Sequence, residues 1–331
     1  MNDERENSKA ARPKTKIQTL RFGVGLIFLL LIALTIAAFF GSEKLAFFDL
    51  NEQQKTILFD IRLPRVLLGA SVGASLALAG ASLQSLLRNP LAEPYLLGVS
   101  NGAALGTMLA FVFFSQIESA RPVMAFAGAS LATFVVFQMA KSRAGMNVER
   151  LVLSGVIVTT FLSSIIVLLT SLVDATKLRS FTFWLLGDLS QATKNGFYLS
   201  FAAVLIGGFV LMRTARALNL MMIGERDAMD FGVEVQKTRL AVFAASSLLV
   251  GTAVAASGSV GYVGLIVPHL VRLATGSDNR FVIPFSALAG AIFVVLADTL
   301  ARTLIAPREL PVGAITALIG APLFIYLLRK N

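Results

Sequence analysis

The chain of 331 residues is 56% hydrophobic and only 15% charged, with a mean hydropathy of +0.77, against about 25% charged residues in ordinary soluble domains. That balance excludes a soluble globular fold and implies an all-α polytopic membrane protein, while the lack of cysteine excludes disulfide frameworks and thiolate metal sites. The net charge of +10 would suggest nucleic acid in a soluble chain; in a membrane protein it reads as topology signals on cytoplasmic loops, and no nucleic-acid partner is expected.

Residues 1–21 form a basic N-terminal segment carrying Arg5, Lys9, Arg12, Lys14, Lys16 and Arg21. The apolar run from Phe22 is longer than the roughly 7–15-residue core of a signal peptide and ends Phe39-Phe40-Gly41-Ser42. It therefore reads as a retained first span, and 22–331 as a single transmembrane domain. A spanning helix needs about 20 mostly apolar residues. The candidates are 22–41, 64–87, 95–114, 122–140, 150–173, 196–212, 240–257, 260–272, 281–304 and 311–328. The eighth is short and holds Pro268, which predicts a partial or tilted crossing. With the N-terminus inside, the inner segments hold 19 of the 29 Lys and Arg residues, a bias that places both termini in the cytoplasm.

Between the second and third spans, 88–102 reads Arg-Asn-Pro-Leu-Ala-Glu-Pro-Tyr-Leu-Leu-Gly-Val-Ser-Asn-Gly. Pro90 and Pro94 forbid a continuous helix. Gly98, Gly102 and Gly106 have the spacing of one face of a tightly packed membrane helix. A break followed by a small-residue helix suggests a segment lining a path through the membrane. Residues 253–276 repeat this order faintly through Ser257-Gly258 and Pro268, five spans later, as an inverted repeat would.

The outer loop 174–195 holds the only tryptophan, Trp184, among aromatic residues suited to an interfacial anchoring helix. The inner loop 213–239 is the longest cytoplasmic connection. Met222, Met229 and Val233 fall on one helical face there, and Gly232 would end the helix. Such a helix could dock in a partner's groove or only cover the bundle, and the pattern alone leaves both open. No Gly-Lys-Ser or Gly-Lys-Thr occurs, so ATP hydrolysis by a P-loop is excluded. The glycines of 257–264 lack the dinucleotide spacing and read as close packing at a broken helix.

His269, the only histidine, could ligand haem iron or relay a proton, but its place after Pro268 favours a role in satisfying carbonyls that the proline frees. Asp298 is the one acid deep in a span, where a charge costs about 2.5–3.5 kcal/mol. Such a group could couple transport to an ion gradient, but Arg302 at i+4 can neutralise it. Arg62 and Arg65 flank the start of the second span, where snorkelling would suffice to explain them.

Several of these motifs together resemble the FecCD-type permeases, membrane subunits of ATP-driven importers for iron-siderophores, haem and vitamin B12. They are Asn89 to Pro94, Gly224-Glu225-x-x-Ala228-x-x-x-Gly232, Gly264 to His269, Arg62 to Arg65 and Leu296 to Arg302. The likeness covers roughly residues 60–330 and implies a vitamin B12 importer-like fold of about ten transmembrane helices. It implies that Gly224, Glu225, Asp227, Ala228 and Gly232 receive the motion of a cytoplasmic ATPase. It further implies that Asn89 and Leu91 belong to a cytoplasmic gate, and that Arg62, Arg65 and Arg302 face acidic groups of a binding protein. Pro90, Pro94, Gly98, Gly102, Pro268 and His269 are structural motif positions. A second gate element departs from the pattern, reading Asn147-Val148-Glu149 without hydroxyls.

The implied assembly lies in the cytoplasmic (inner) membrane of a bacterium. Two ATPase subunits, an extracytoplasmic substrate-binding protein and a second permease, identical or paralogous, complete it. ATP and Mg would sit on the ATPase; this chain binds no cofactor or metal and is not an enzyme. The default cargo is an iron(III)-siderophore, with haem or cobalamin as alternatives. The rival from another class is an ion-gradient-driven secondary transporter using Asp298.

Overall fold

The computed structural model describes residues 16–41, 51–142 and 145–330. The basic residues from Arg5 to Lys14, and Arg143, lie outside the described residues. Among the described residues thirteen α-helices carry the fold. They are α1 (Lys16–Phe39), α2 (Glu52–Thr56), α3 (Leu63–Leu86), α4 (Val99–Phe113), α5 (Ala120–Ala140), α6 (Val148–Thr170) and α7 (Ala175–Leu185), followed by α8 (Lys194–Ile223), α9 (Glu225–Asp230), α10 (Val235–Ser257), α11 (Val263–Thr275), α12 (Asn279–Thr303) and α13 (Val312–Lys330). A π-helical turn, Ile57–Arg62, joins α2 to α3, and a 3₁₀ turn, Pro94–Leu97, precedes α4. The hairpin of β1 (Lys141–Ser142) and β2 (Gly145–Met146) links α5 to α6. Among the described residues, seven helices are long and apolar enough to cross a membrane, and α4, α11 and α13 are shorter apolar helices. Together they are the ten expected spans.

Helix α3 is the hub. All but three of its 24 residues are buried, packed mainly by α12, α10, α8 and α11. Its run of Gly, Ala and Ser lets these neighbours approach on every side, since packing without solvent drive depends on close contact. Around it, α1 lies against α12 through Ala33, Ala37 and Ile292 and turns Ile27, Phe28 and Leu31 outward. The expected small-residue face is present: Gly102 and Gly106 lie on the backbone of α5, and a Cβ at Gly102 would overlap the Gly128 carbonyl. Gly98 is not part of that face. It stands at the start of α4 with φ of 74°, a left-handed conformation that favours glycine, and it turns the chain out of the 3₁₀ segment.

The chain begins α1 and ends α13 at the same end of the bundle, which also carries α9. Phe22 of α1 meets Phe285 near the start of α12, while Ala37 meets Arg302 at the opposite, far end. Helix α11 is the partial crossing the sequence expected: its 13 residues span about 20 Å at 1.5 Å each. It starts beside Gly80 of α3 and ends near the α9 end.

Two expectations on boundaries are corrected. Residues 213–239 are not one long loop, because α8 continues to Ile223 and α10 begins at Val235. Met222 therefore belongs to α8, and only Met229 lies on α9. Helix α7 is not only a surface anchor. Phe181 is buried, and with Trp184 it packs on Ala104, Met108 and Phe111.

Candidate functional site

At mid-depth the two chain breaks meet. The Tyr95 hydroxyl donates to the Val260 carbonyl at 2.9 Å and accepts from the Val260 N–H at 3.0 Å. One side chain thus serves both backbone groups of a residue in an irregular stretch, groups that would otherwise be left unpaired in an apolar surround. The Glu93 carboxylate accepts from the Tyr262 N–H at 3.3 Å, and Tyr262 itself has φ of 68°. Ser100 and Ser259 pair at 3.3 Å. Pro94 is buried at the first turn of the 3₁₀ segment, with its ring against Gly264.

Proline at 268 cannot donate to the carbonyl of Gly264, four residues earlier. Gln84 of α3 fills that role. Its Nε2 donates to Gly264 and Leu265, each at 3.1 Å, and Arg272 holds its Oε1. This corrects the expectation for His269, which is half-buried beside Arg272 and makes no hydrogen bond to these carbonyls.

From the breaks a neutral polar seam runs along α4 and α6. Asn101 Nδ2 donates to the Thr159 carbonyl at 3.1 Å and to Ser163 Oγ at 2.6 Å. Helix α6 buries only Leu151, Ser154, Gly155 and Val158. It leaves Leu153, Phe161 and Leu168 exposed, along with Thr160 and Ser164. Among the described residues no cluster of three or more His, Cys, Asp or Glu side chains could hold a metal ion.

The far end holds a closed ion cluster. Asp298 is 2% exposed. It is bound by Arg65 through Nε and Nη2, at 2.9–3.2 Å, and by Arg302 Nε at 3.0 Å. Arg65 Nη1 also reaches Glu309 at 2.7 Å. The remaining donors cap α1, whose last carbonyls lack partners within the helix. Arg302 Nη2 reaches Ala37 at 3.2 Å, and Arg62 Nη1 reaches Phe39 at 2.8 Å. The Asp298–Arg302 pairing is the one the i+4 spacing predicts. The display of Arg62, Arg65 and Arg302 to a docking protein is not what this structure shows. All three are turned inward and at most 8% exposed, because Asp298 and the carbonyl end of α1 offer partners that an apolar surround demands.

The α9 end is more open. Gly224 precedes α9, Ala228 is fully buried, and Gly232, with φ of 79°, stops the helix. Glu225 pairs with Arg239 of α10, and Arg88 approaches it to 3.9 Å. Asp227 and Met229 are exposed. Asn89 and Leu91 are exposed on the neighbouring connection, where Asn89 Oδ1 accepts from the Leu91 N–H at 2.9 Å, a local turn beside the exposed Pro90. Arg239 also donates to the Met146 carbonyl at 3.0 Å, and Gln236 Oε1 accepts from the Met146 N–H at 2.9 Å.

Sequence reasoning passed over Gln84, Glu93, Tyr95, Asn101, Gln236 and Arg239. For Gln84 and Asn101 a signal existed, since each is a strongly polar residue inside an apolar run. For the others the partner lies far away in sequence and leaves no local mark.

The model of the FecCD transport family matches residues 26–330. The cobalamin import system permease protein BtuC of Halobacterium salinarum is 43% identical over 86% of this chain and 76% of its own length. The hemin transport system permease protein HmuU of Yersinia pestis is 38% identical over 94% of this chain and 96% of its own. A solved structure of an inward-facing metal-chelate type ABC transporter is 35% identical, covers 93% of this chain and 98% of its own, and superposes with a TM-score of 0.85.

Proposed function

Because the chain belongs to the FecCD transport family and is the permease of an ATP-driven (ABC) importer, we propose that it carries a metal chelate across the cytoplasmic membrane by alternating access. The observation that supports this cargo class is the neutral seam of Asn101, Ser163, Ser100 and Ser259. Hydroxyls and amides suit a cargo whose metal is already wrapped in an organic ligand. A bare cation would call for carboxylate or imidazole ligands. Cobalamin ranks first on the names of similar permeases. Haem, named for another, and the iron(III)-siderophore expected from sequence are the alternatives.

In this reading α9 and the Gly224–Gly232 segment take up the closure of two cytoplasmic ATPase subunits, which bind ATP and Mg. The connection carrying Asn89 and Leu91 forms the inner gate. The exposed apolar faces of α6 and α13 meet a second permease, and a binding protein delivers cargo to the far end. The closed ion cluster weighs against a gradient-driven mechanism through Asp298, since a coupling acid must exchange protons or ions with water.

The test is uptake of labelled cobalamin, haem and ferric siderophore in cells with and without the gene. Loss of one chelate only, with sensitivity to vanadate rather than to a protonophore, is the expected result. Uptake that resists vanadate and collapses with a protonophore would overturn it. Replacing Glu225 and Gly232 together should abolish uptake while leaving membrane insertion intact.

A further inference from the structure

The hairpin between α5 and α6 is held from α10 by both polar atoms of one peptide residue. Gln236 Oε1 accepts the Met146 N–H at 2.9 Å, and Arg239 Nη1 donates to the Met146 carbonyl at 3.0 Å. Met146 is itself buried, and the next residue, Asn147, caps α6 by accepting from the Arg150 N–H at 2.9 Å. The other arm of Arg239 grips Glu225, the first residue of α9. One guanidinium therefore joins the first turn of α9 to the residue next to the α6 cap. Its Nε is buried without a partner, a cost that packing alone does not require and that an apolar residue would avoid.

Helix α6 is the natural receiver. It buries four residues along 23 and packs along one face only, on α5, α4 and the 3₁₀ turn, so the rest of its surface is free of this chain. A displacement of α9 relative to the bundle reaches Met146 through two hydrogen-bonded atoms of a single planar group, which resists shear in a way an apolar contact does not. A helix packed along one face can respond as a unit to a pull at its cap.

We infer that Arg239 and Gln236 are positioning residues that transmit the movement of α9 to α6 through the Met146 peptide. The inference rests on the importer reading and deepens it by naming the internal link between the ATPase-facing segment and the helix beside the path. Arg239 touches no cargo; it acts by tying Glu225 to the hairpin.

The experiment uses the complete importer in proteoliposomes, with uptake of labelled cobalamin, haem and ferric siderophore, offered in turn, and ATP hydrolysis measured together. Arg239→Met should cut uptake about tenfold or more, within the usual range of coupling between two-state elements, while hydrolysis stays within about twofold of the unchanged protein by the same reasoning. Arg239→Lys, able to reach only one of the two partners at a time, should fall between. Gln236→Leu should weaken coupling less than Arg239→Met, because the arginine link remains.

Uptake and hydrolysis falling in parallel with the amount of folded complex would make Arg239 merely structural and overturn the inference. Unaltered coupling in Arg239→Met would do the same. An unchanged protein that shows no ATP-dependent uptake would instead bring down the importer reading itself. Should Arg239→Met not assemble, spin labels on Glu149→Cys and Ser277→Cys decide the matter in Arg239→Lys, since the chain has no cysteine of its own and both positions are exposed. The nucleotide-driven change in their separation should shrink in that variant; an undiminished change would refute the link.

Discussion

The two ends of the bundle each carry an ion cluster centred on a carboxylate, and they are built to different ends. At the far end Asp298 lies between Arg65 and Arg302 with its side chain 3% exposed, and Arg302 and Arg62 cap α1. At the α9 end Glu225 keeps 42% of its side chain exposed and joins Arg239 to Arg88. The closed cluster fastens α1, α3, α12 and the following loop into one piece, since no member can leave without exposing a buried charge. The open one is looser on one side: water reaches Glu225 and Arg88, while Arg239 stays buried between Glu225 and Met146. On the proposed reading, closure marks the static end of the molecule and openness the end that receives motion.

The sharpest way to break this contrast is Asp298→Asn. It strands Arg65 and Arg302 beside each other with one carboxylate, Glu309, between them. Removing one partner of a buried ion pair typically costs about 3–5 kcal/mol, so the detergent-purified variant should show a large drop in thermal midpoint or fail to accumulate. A midpoint equal to that of the unchanged protein would mean that the far end is not sealed.

The contrast was only half legible in the chain. Asp298 and Arg302 stand four apart on one helix, a local relation that spacing reveals. Arg65 joins them from 233 positions away, and nothing in a hydropathy pattern records such a pairing. The ten spans were legible because apolar length is a local property that the bilayer itself selects. The end of α8 at Ile223 was not, because its last turns carry polar and basic residues and leave the apolar window while remaining helical. The break at Pro94 could be read from its prolines; its partner Val260 could not. Gln84 took the task expected of His269 because it faces the freed carbonyls from the packed hub, whereas the histidine is on the same helix as those carbonyls and cannot turn back to them.

A smaller effect, at the α9 end, comes from Asp278, which caps α12 and accepts from Arg280 and from Asn219 of α8. These donors, Arg280 first, hold its carboxyl down at about 2, below the ordinary 3.8. A folded-state value below the unfolded one gives stability that is present above about pH 4 and lost as the pH falls toward 2. With solvent screening at the exposed Arg280, the stake is on the order of 1 kcal/mol. Asp278→Asn should therefore lower the thermal midpoint modestly at pH 6 and flatten its fall between pH 5 and pH 2. An equally steep acid limb in the variant would assign that limb to other carboxylates.

The smallest effect on stability belongs to the residue whose loss should matter most for transport. Glu225→Gln removes a charge that water already reaches, leaves an amide able to accept from Arg239, and frees Arg88, which is itself exposed. Glu225 is 42% exposed and its glutamine replacement still accepts from the buried Arg239, and the exposed contact with Arg88 contributes less than about 1 kcal/mol, so the thermal midpoint should move little. A loss as large as that of Asp298→Asn would erase the distinction between the two ends, because both clusters would then be fasteners. A small loss joined to a large drop in uptake would sharpen it. The carboxylate would then serve chiefly as a link, kept half open so that α9 can be pushed without the bundle coming apart.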